Sequence, residues 1–61
     1  MALTPKYKRR GRAYYSTLGK NATIVASDTT RSFTKVYYVI RVDGERKDRY
    51  DVSESELDYE R

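Results

Sequence analysis

Between Phe33 and Val42 the chain sorts into two interleaved sets. Val36, Tyr38, Ile40 and Val42 are all apolar or aromatic, whereas Phe33, Lys35, Tyr37, Val39 and Arg41 mix bases with apolar residues. Successive side chains of a strand point to opposite faces, so this run reads as a strand with the even set in the core. Asp43-Gly44 ends it with a dipeptide that favours a hairpin turn. Arg49-Tyr50-Asp51-Val52 alternates charged with apolar residues and predicts a short half-buried strand, with Tyr50 and Val52 facing the same core. Towards the N-terminus, Arg12–Thr17 is rich in strand formers and sends Ala13 and Tyr15 inward, Arg12 and Tyr14 outward, before turn residues at Leu18–Asn21. Ala22–Ser27 is a second strand with Ala22, Ile24 and Ala26 as the inward set and Val25 as its competitor, followed by a polar loop over Ser27–Ser32. Ser53-Glu54-Ser55-Glu56 fits a capping box, which predicts a single helical or 3₁₀ turn tucking Leu57 under the sheet. Tyr59–Arg61 then supplies a short fifth strand.

These elements predict an all-β fold, a small SH3-like antiparallel barrel of four to five strands with one short helical turn near the C-terminus. The barrel occupies residues 11–61 and follows a basic N-terminal arm, residues 1–10, whose polar content and Pro5 read as a flexible segment that a partner would order. The stretch Gly19-Lys20-Asn21-Ala22-Thr23-Ile24-Val25 resembles the turn-strand unit of KOW and Tudor-type small barrels, with Ala22 where the KOW pattern usually has glycine. Asp43-Gly44, Tyr50-Asp51-Val52 and Glu56-Leu57 resemble their closing hairpin and terminal turn. The resemblance spans residues 11–59. It implies a binding module, since such barrels host RNA, DNA, peptide and methyl-lysine recognition and virion assembly, and the fold by itself selects none of these.

Composition narrows the field. At 61 residues the chain holds one domain, and a domain of this size buries only about 60% of the surface its unfolded form exposes. It has no cysteine and no histidine, so neither a disulfide nor a thiolate or imidazole metal site supplements the core, and no cofactor is expected. The longest apolar run, Val36–Ile40, is far too short to cross a bilayer, and no apolar h-region follows the basic N-terminus, which predicts a cytoplasmic protein without membrane contact. The net charge of +4 is unevenly spread: residues 1–20 carry +6 with no acid, residues 21–42 carry +2, and residues 43–61 carry −4.

Enzymatic chemistry is not expected. A nucleophile would need a lysine or carboxylate base, and no Ser, Thr or Lys stands in a Gly-rich or elbow context. Glu54, Glu56, Asp58 and Glu60 are spaced by two but read as a solvated acidic tail, because the spacing and glycine of a calcium loop are missing. An aromatic cage for methyl-lysine needs three or four converging rings, of which only Tyr14 and Tyr37 are assigned outward. The favoured site is a surface on which bases and aromatics interleave: Lys6, Lys8, Arg9, Arg10 and Arg12 on phosphates, Tyr14 and Tyr37 stacked on bases, with Lys35 and Arg41 beside them. The function expected is sequence-tolerant nucleic-acid binding, to DNA or RNA. A second reading stands beside it, a protein-interaction or assembly module of phage-type accessory, virion or inhibitory kind. There the basic arm docks on an acidic protein surface, including that of another copy in a homo-oligomer, or an oligomer holds a small anionic ligand between basic residues.

Overall fold

In a computed structural model that describes residues 4–61, five strands form one curled antiparallel sheet. They are β1 (Arg12–Tyr15), β2 (Lys20–Asp28), β3 (Tyr37–Val42), β4 (Arg49–Ser53) and β5 (Leu57–Asp58), in the spatial order β4-β3-β2-β1-β5. A 3₁₀ turn at Glu54–Glu56 joins the last two strands. This is the all-β, small-barrel architecture expected from the sequence. No helix among the described residues is long and apolar enough to cross a membrane.

The inward face follows the period-two reading. Ala13 and Tyr15 on β1, Ala22 and Ile24 on β2, and Tyr38, Ile40 and Val42 on β3 are buried, joined by Val36, Val52 and Leu57. Full burial of an aliphatic side chain of this kind contributes roughly 1.5–3 kcal/mol, so a core this small depends on nearly every member. Two bulges curl the sheet. Ile24 faces Ile40 while Ala26 faces Val39, so β2 carries one extra residue at Val25, and a bulged strand bends and twists more strongly. Ala26 is half-buried beyond that point.

The second bulge corrects the reading of β4. Val52 faces Tyr38 and Arg49 faces Ile40, so Tyr50 and Asp51 together oppose Val39 alone. Asp51 takes the left-handed conformation at φ 62, and the alternation breaks there: Tyr50 turns outward, 69% exposed, instead of joining the core. Arg49 takes the inward side, its guanidinium 5.9 Å from the centre of the Tyr15 ring.

Strand boundaries also differ, and β2 runs from Lys20 to Asp28, longer at both ends than the expected Ala22–Ser27. β1 ends at Tyr15 because residues 16–19 form the turn, with Gly19 at φ 66 donating its amide to the Tyr15 carbonyl. β3 begins at Tyr37 rather than Phe33, and Phe33 projects from the loop with 99% of its surface exposed. The fifth strand is Leu57–Asp58, not Tyr59–Arg61, because the capping box is complete (Ser53 accepts from the Ser55 amide and Glu56 from the Ser53 amide) and feeds the chain straight into pairing with β1.

The N-terminal segment is ordered by the barrel itself from Lys6 onward. The Tyr7 ring is buried, edge-on to Tyr38 at 5.6 Å between centres and to Tyr59 at 6.2 Å. The Tyr38 hydroxyl accepts from the backbone amides of Lys6 and Tyr7 at 3.0 and 3.3 Å and donates to Glu54 at 2.7 Å. The part of the expected arm formed by residues 1–3 lies outside the described residues.

Candidate functional site

The outward face of the sheet is built on one cross-strand row. Arg12 on β1 and Arg41 on β3 both stand opposite Thr23 on β2. Thr23 lies between the inward residues Ala22 and Ile24, so its hydroxyl is directed outward, where it accepts from Arg12 Nη1 at 2.9 Å. Arg12 is fully engaged within the molecule: its terminal nitrogens grip Asp43 at 2.8 and 2.5 Å, and its Nε meets Glu60 at 3.0 Å. The Arg12 guanidinium holds the Asp43 carboxyl below the usual carboxylate range, and Asp43 with Glu60 raises Arg12 in turn.

The same pattern recurs around the sheet. Arg41 donates from Nε to Asp48 at 2.8 Å, Arg49 pairs with Glu45 at 3.0 Å, Arg31 with Asp28 at 3.4 Å and also with Asp51, and Arg61 with Asp58 at 3.5 Å. Glu54 is held by Tyr38, and Glu56 by the Ser53 amide. All nine acids therefore have partners in cis, and the spaced carboxylates Glu54, Glu56, Asp58 and Glu60 serve four separate contacts. The ion pairs use arginine throughout, as suits a forked donor that can bind a carboxylate with two nitrogens. Among the described residues, Lys6, Lys8, Arg9, Arg10, Lys20, Lys35, Arg46 and Lys47 have no acidic partner within ion-pair distance.

Of the residues singled out from the sequence, the structure gathers Arg9, Arg10 and Arg41. They rim a shallow concavity of about 390 Å³ whose remaining lining is Thr23, Ile24 and Val25, with no acid. Lys8 precedes them in the same turn. Lys6 lies elsewhere, its Nζ 4.7 Å from the centre of the Tyr59 ring. Lys35 lines a different concavity, with Thr34, Ser53 and Ser55. Tyr14 and Tyr37 are not brought together. They face Asn21 and Asp28, at opposite ends of β2, a strand separation of up to about 23 Å at 3.3 Å per residue. Each is half-buried under a guanidinium, Arg61 at 4.5 Å from Tyr14 and Arg31 at 5.4 Å from Tyr37. The most exposed rings are Phe33, Tyr50 and Tyr59, the last of them against Lys6 and Tyr7.

Two contributions escaped the sequence reading. Thr23 could have been found, because the alternation that buries Ala22 and Ile24 also turns it outward. The stacking of Arg31 and Arg61 over the tyrosines had no signal in spacing, since it joins separate elements. Compared with protein-family models, with curated proteins and with solved structures, the chain finds no match.

Proposed function

We propose that this chain is a small, non-enzymatic, cytoplasmic nucleic-acid-binding barrel that holds phosphates with little sequence preference through Lys8, Arg9, Arg10 and Arg41. The observation that carries the reading is the inequality between the charges. Every acid is engaged within the molecule, while among the described residues Lys8, Arg9 and Arg10 have no acidic partner, and Arg9 and Arg10 meet Arg41, itself paired with Asp48, around a concavity with no acid in its lining. A polyanion gains most from such a surface, because each phosphate it presents releases a counterion on contact. Base stacking on Tyr14 and Tyr37 has no part in the proposal, given their separation and their guanidinium covers. Gly19 at positive φ, opening the unit Gly19–Val25, supports kinship with KOW-type barrels as part of the same proposal.

The assembly reading, as a phage-type accessory module, keeps one observation in its favour: Phe33 is fully exposed, which suits a pocket in a protein partner. Against it, a neighbour's basic arm would have to compete with contacts the acids already make, to arginine for seven of them and to the Tyr38 hydroxyl and the Ser53 amide for Glu54 and Glu56. Fluorescence anisotropy with unrelated DNA and RNA sequences over a range of salt, beside a solution mass, separates the two. The nucleic-acid reading expects binding at physiological salt to all sequences alike, and a fall in salt slope of about 0.9 for each of Lys8→Ala, Arg9→Ala and Arg10→Ala. Absence of binding by the unaltered protein, with a mass above that of one chain, would transfer the function to assembly.

A further inference from the structure

We infer that the concavity between the turn at residues 8–11 and the outer face of β2 and β3 is a built seat for one phosphodiester group; the inference rests on the reading above and names its anchoring contact. The turn is fixed on the sheet rather than draped over it. The Gly11 amide donates to the Lys8 carbonyl at 2.9 Å, the Arg10 amide to the Ile24 carbonyl at 2.7 Å, and the Ile24 amide to the Gly11 carbonyl at 2.8 Å. Arg10 sits at φ 68, a left-handed conformation that costs an L-residue with a Cβ and persists only where the surroundings enforce it. Gly11 allows the closure, since a Cβ there would lie 2.8 Å from the Lys8 carbonyl oxygen. Backbone strain of this kind, at a point that carries a cation into a concavity, is a reason to look for a ligand.

The donors fit phosphate. Arg41 commits its Nε to Asp48, which orients the guanidinium and leaves its terminal nitrogens without a hydrogen-bond partner. Among the described residues, the Arg9 and Arg10 side chains make no ion pair. Thr23 accepts from Arg12 and still has its hydroxyl proton to give. Three guanidinium groups and one hydroxyl gathered over the β2 segment Thr23-Ile24-Val25 suit a tetrahedral anion, and no aromatic ring lines the site to receive a base.

Two variants test the seat without threatening the fold. Arg10→Gly removes the side chain and relaxes the left-handed backbone; Thr23→Val keeps shape and branching and removes no charge. Lys35→Ala, which removes one charge from the other concavity, is the control. With duplex DNA, Arg10→Gly is expected to lower the salt slope by about 0.9, and Thr23→Val to weaken binding about tenfold at unchanged slope. Inorganic phosphate added to the unaltered protein is expected to shift the amide resonances of Gly11, Thr23 and Ile24, and to shift none of them in Arg10→Gly. If Lys35→Ala matches Arg10→Gly and Thr23→Val is neutral, the seat is refuted and diffuse nucleic-acid binding stands. If phosphate shifts those amides but no DNA or RNA binds, the seat stands and the preceding reading falls. Neither shifts nor binding would overturn both, and shifts produced by an acidic peptide but not by phosphate would overturn the seat.

Discussion

Tyr38→Phe removes a single oxygen at the junction of three elements. That hydroxyl accepts from the Lys6 and Tyr7 amides and donates to Glu54, at 3.0, 3.3 and 2.7 Å, and the residue is only 1% exposed. A hydrogen bond to a charged acceptor contributes about 1.5–3 kcal/mol and a neutral one about 1, and the Tyr7 amide would be left buried without its partner. Part is recovered because the Lys6 amide also reaches Glu54 at 3.3 Å. The net loss expected is about 2–4 kcal/mol, a large share of the roughly 3–9 kcal/mol that a domain of this length commands. Urea unfolding followed by circular dichroism measures it, and amide hydrogen exchange localises it, with faster exchange expected at Lys6, Tyr7 and Arg10. The pH dependence adds a second signature. Burial, reinforced by Glu54, pushes the Tyr38 hydroxyl up to about 12 from 10.0. The folded state thus keeps a proton that the unfolded chain has already lost, so stability falls as pH rises from about 10 to about 12, by about 1.4 kcal/mol per unit. Tyr38→Phe should be less stable at neutral pH yet lose less between those limits. Equal stability of the two proteins, with unchanged exchange at the Tyr7 amide, would refute the claim that this hydroxyl ties the basic segment to the barrel.

Ile40→Ala, at a fully buried position, is expected to cost about 2–5 kcal/mol and leave the domain unfolded or nearly so, read as lost cooperativity in thermal denaturation. Arg12→Ala should behave differently from the cations of the turn: its charge is committed to Asp43 and Glu60 on the surface, so it should lower stability by no more than about 1 kcal/mol and leave the salt slope of binding unchanged. Asp28, Asp43, Glu45 and Asp58 all titrate below their ordinary values, the first through Thr30, the next two through Arg12 and Arg49, the last through the Tyr59 amide. Their contribution is present above the unfolded carboxylate range and is lost as pH falls through the depressed values, so acid should lower the melting temperature, and Asp43→Asn should flatten that decline.

Local signals carried most of the barrel. The alternation from Val36 to Val42 and the Ser53/Glu56 reciprocity are complete within a few residues, and each is realised in the fold. Alternation alone places Tyr50 inward, because the bulge that turns it outward depends on Asp51 entering the left-handed region, which no neighbouring residue type announces. The composition around Tyr7 predicts a free arm, because its partners Tyr38 and Tyr59 are distant in sequence and only the folded sheet brings them to it. In the candidate site, the residue types were legible and their grouping was not: a basic segment can be seen in a sequence, but which bases are already taken by acids depends on side chains meeting across strands.

The division of labour between the two kinds of base has a chemical corollary. Because arginine holds every ion pair among the described residues, the five lysines, Lys6, Lys8, Lys20, Lys35 and Lys47, stand outside that carboxylate network. Acylation of their amines would carry the net charge from +4 to −1 while leaving each arginine–carboxylate contact in place. Charge and fold are thereby separable in this molecule by reagent rather than by mutation: an acetylated protein should melt close to the untreated one, yet migrate toward the opposite electrode.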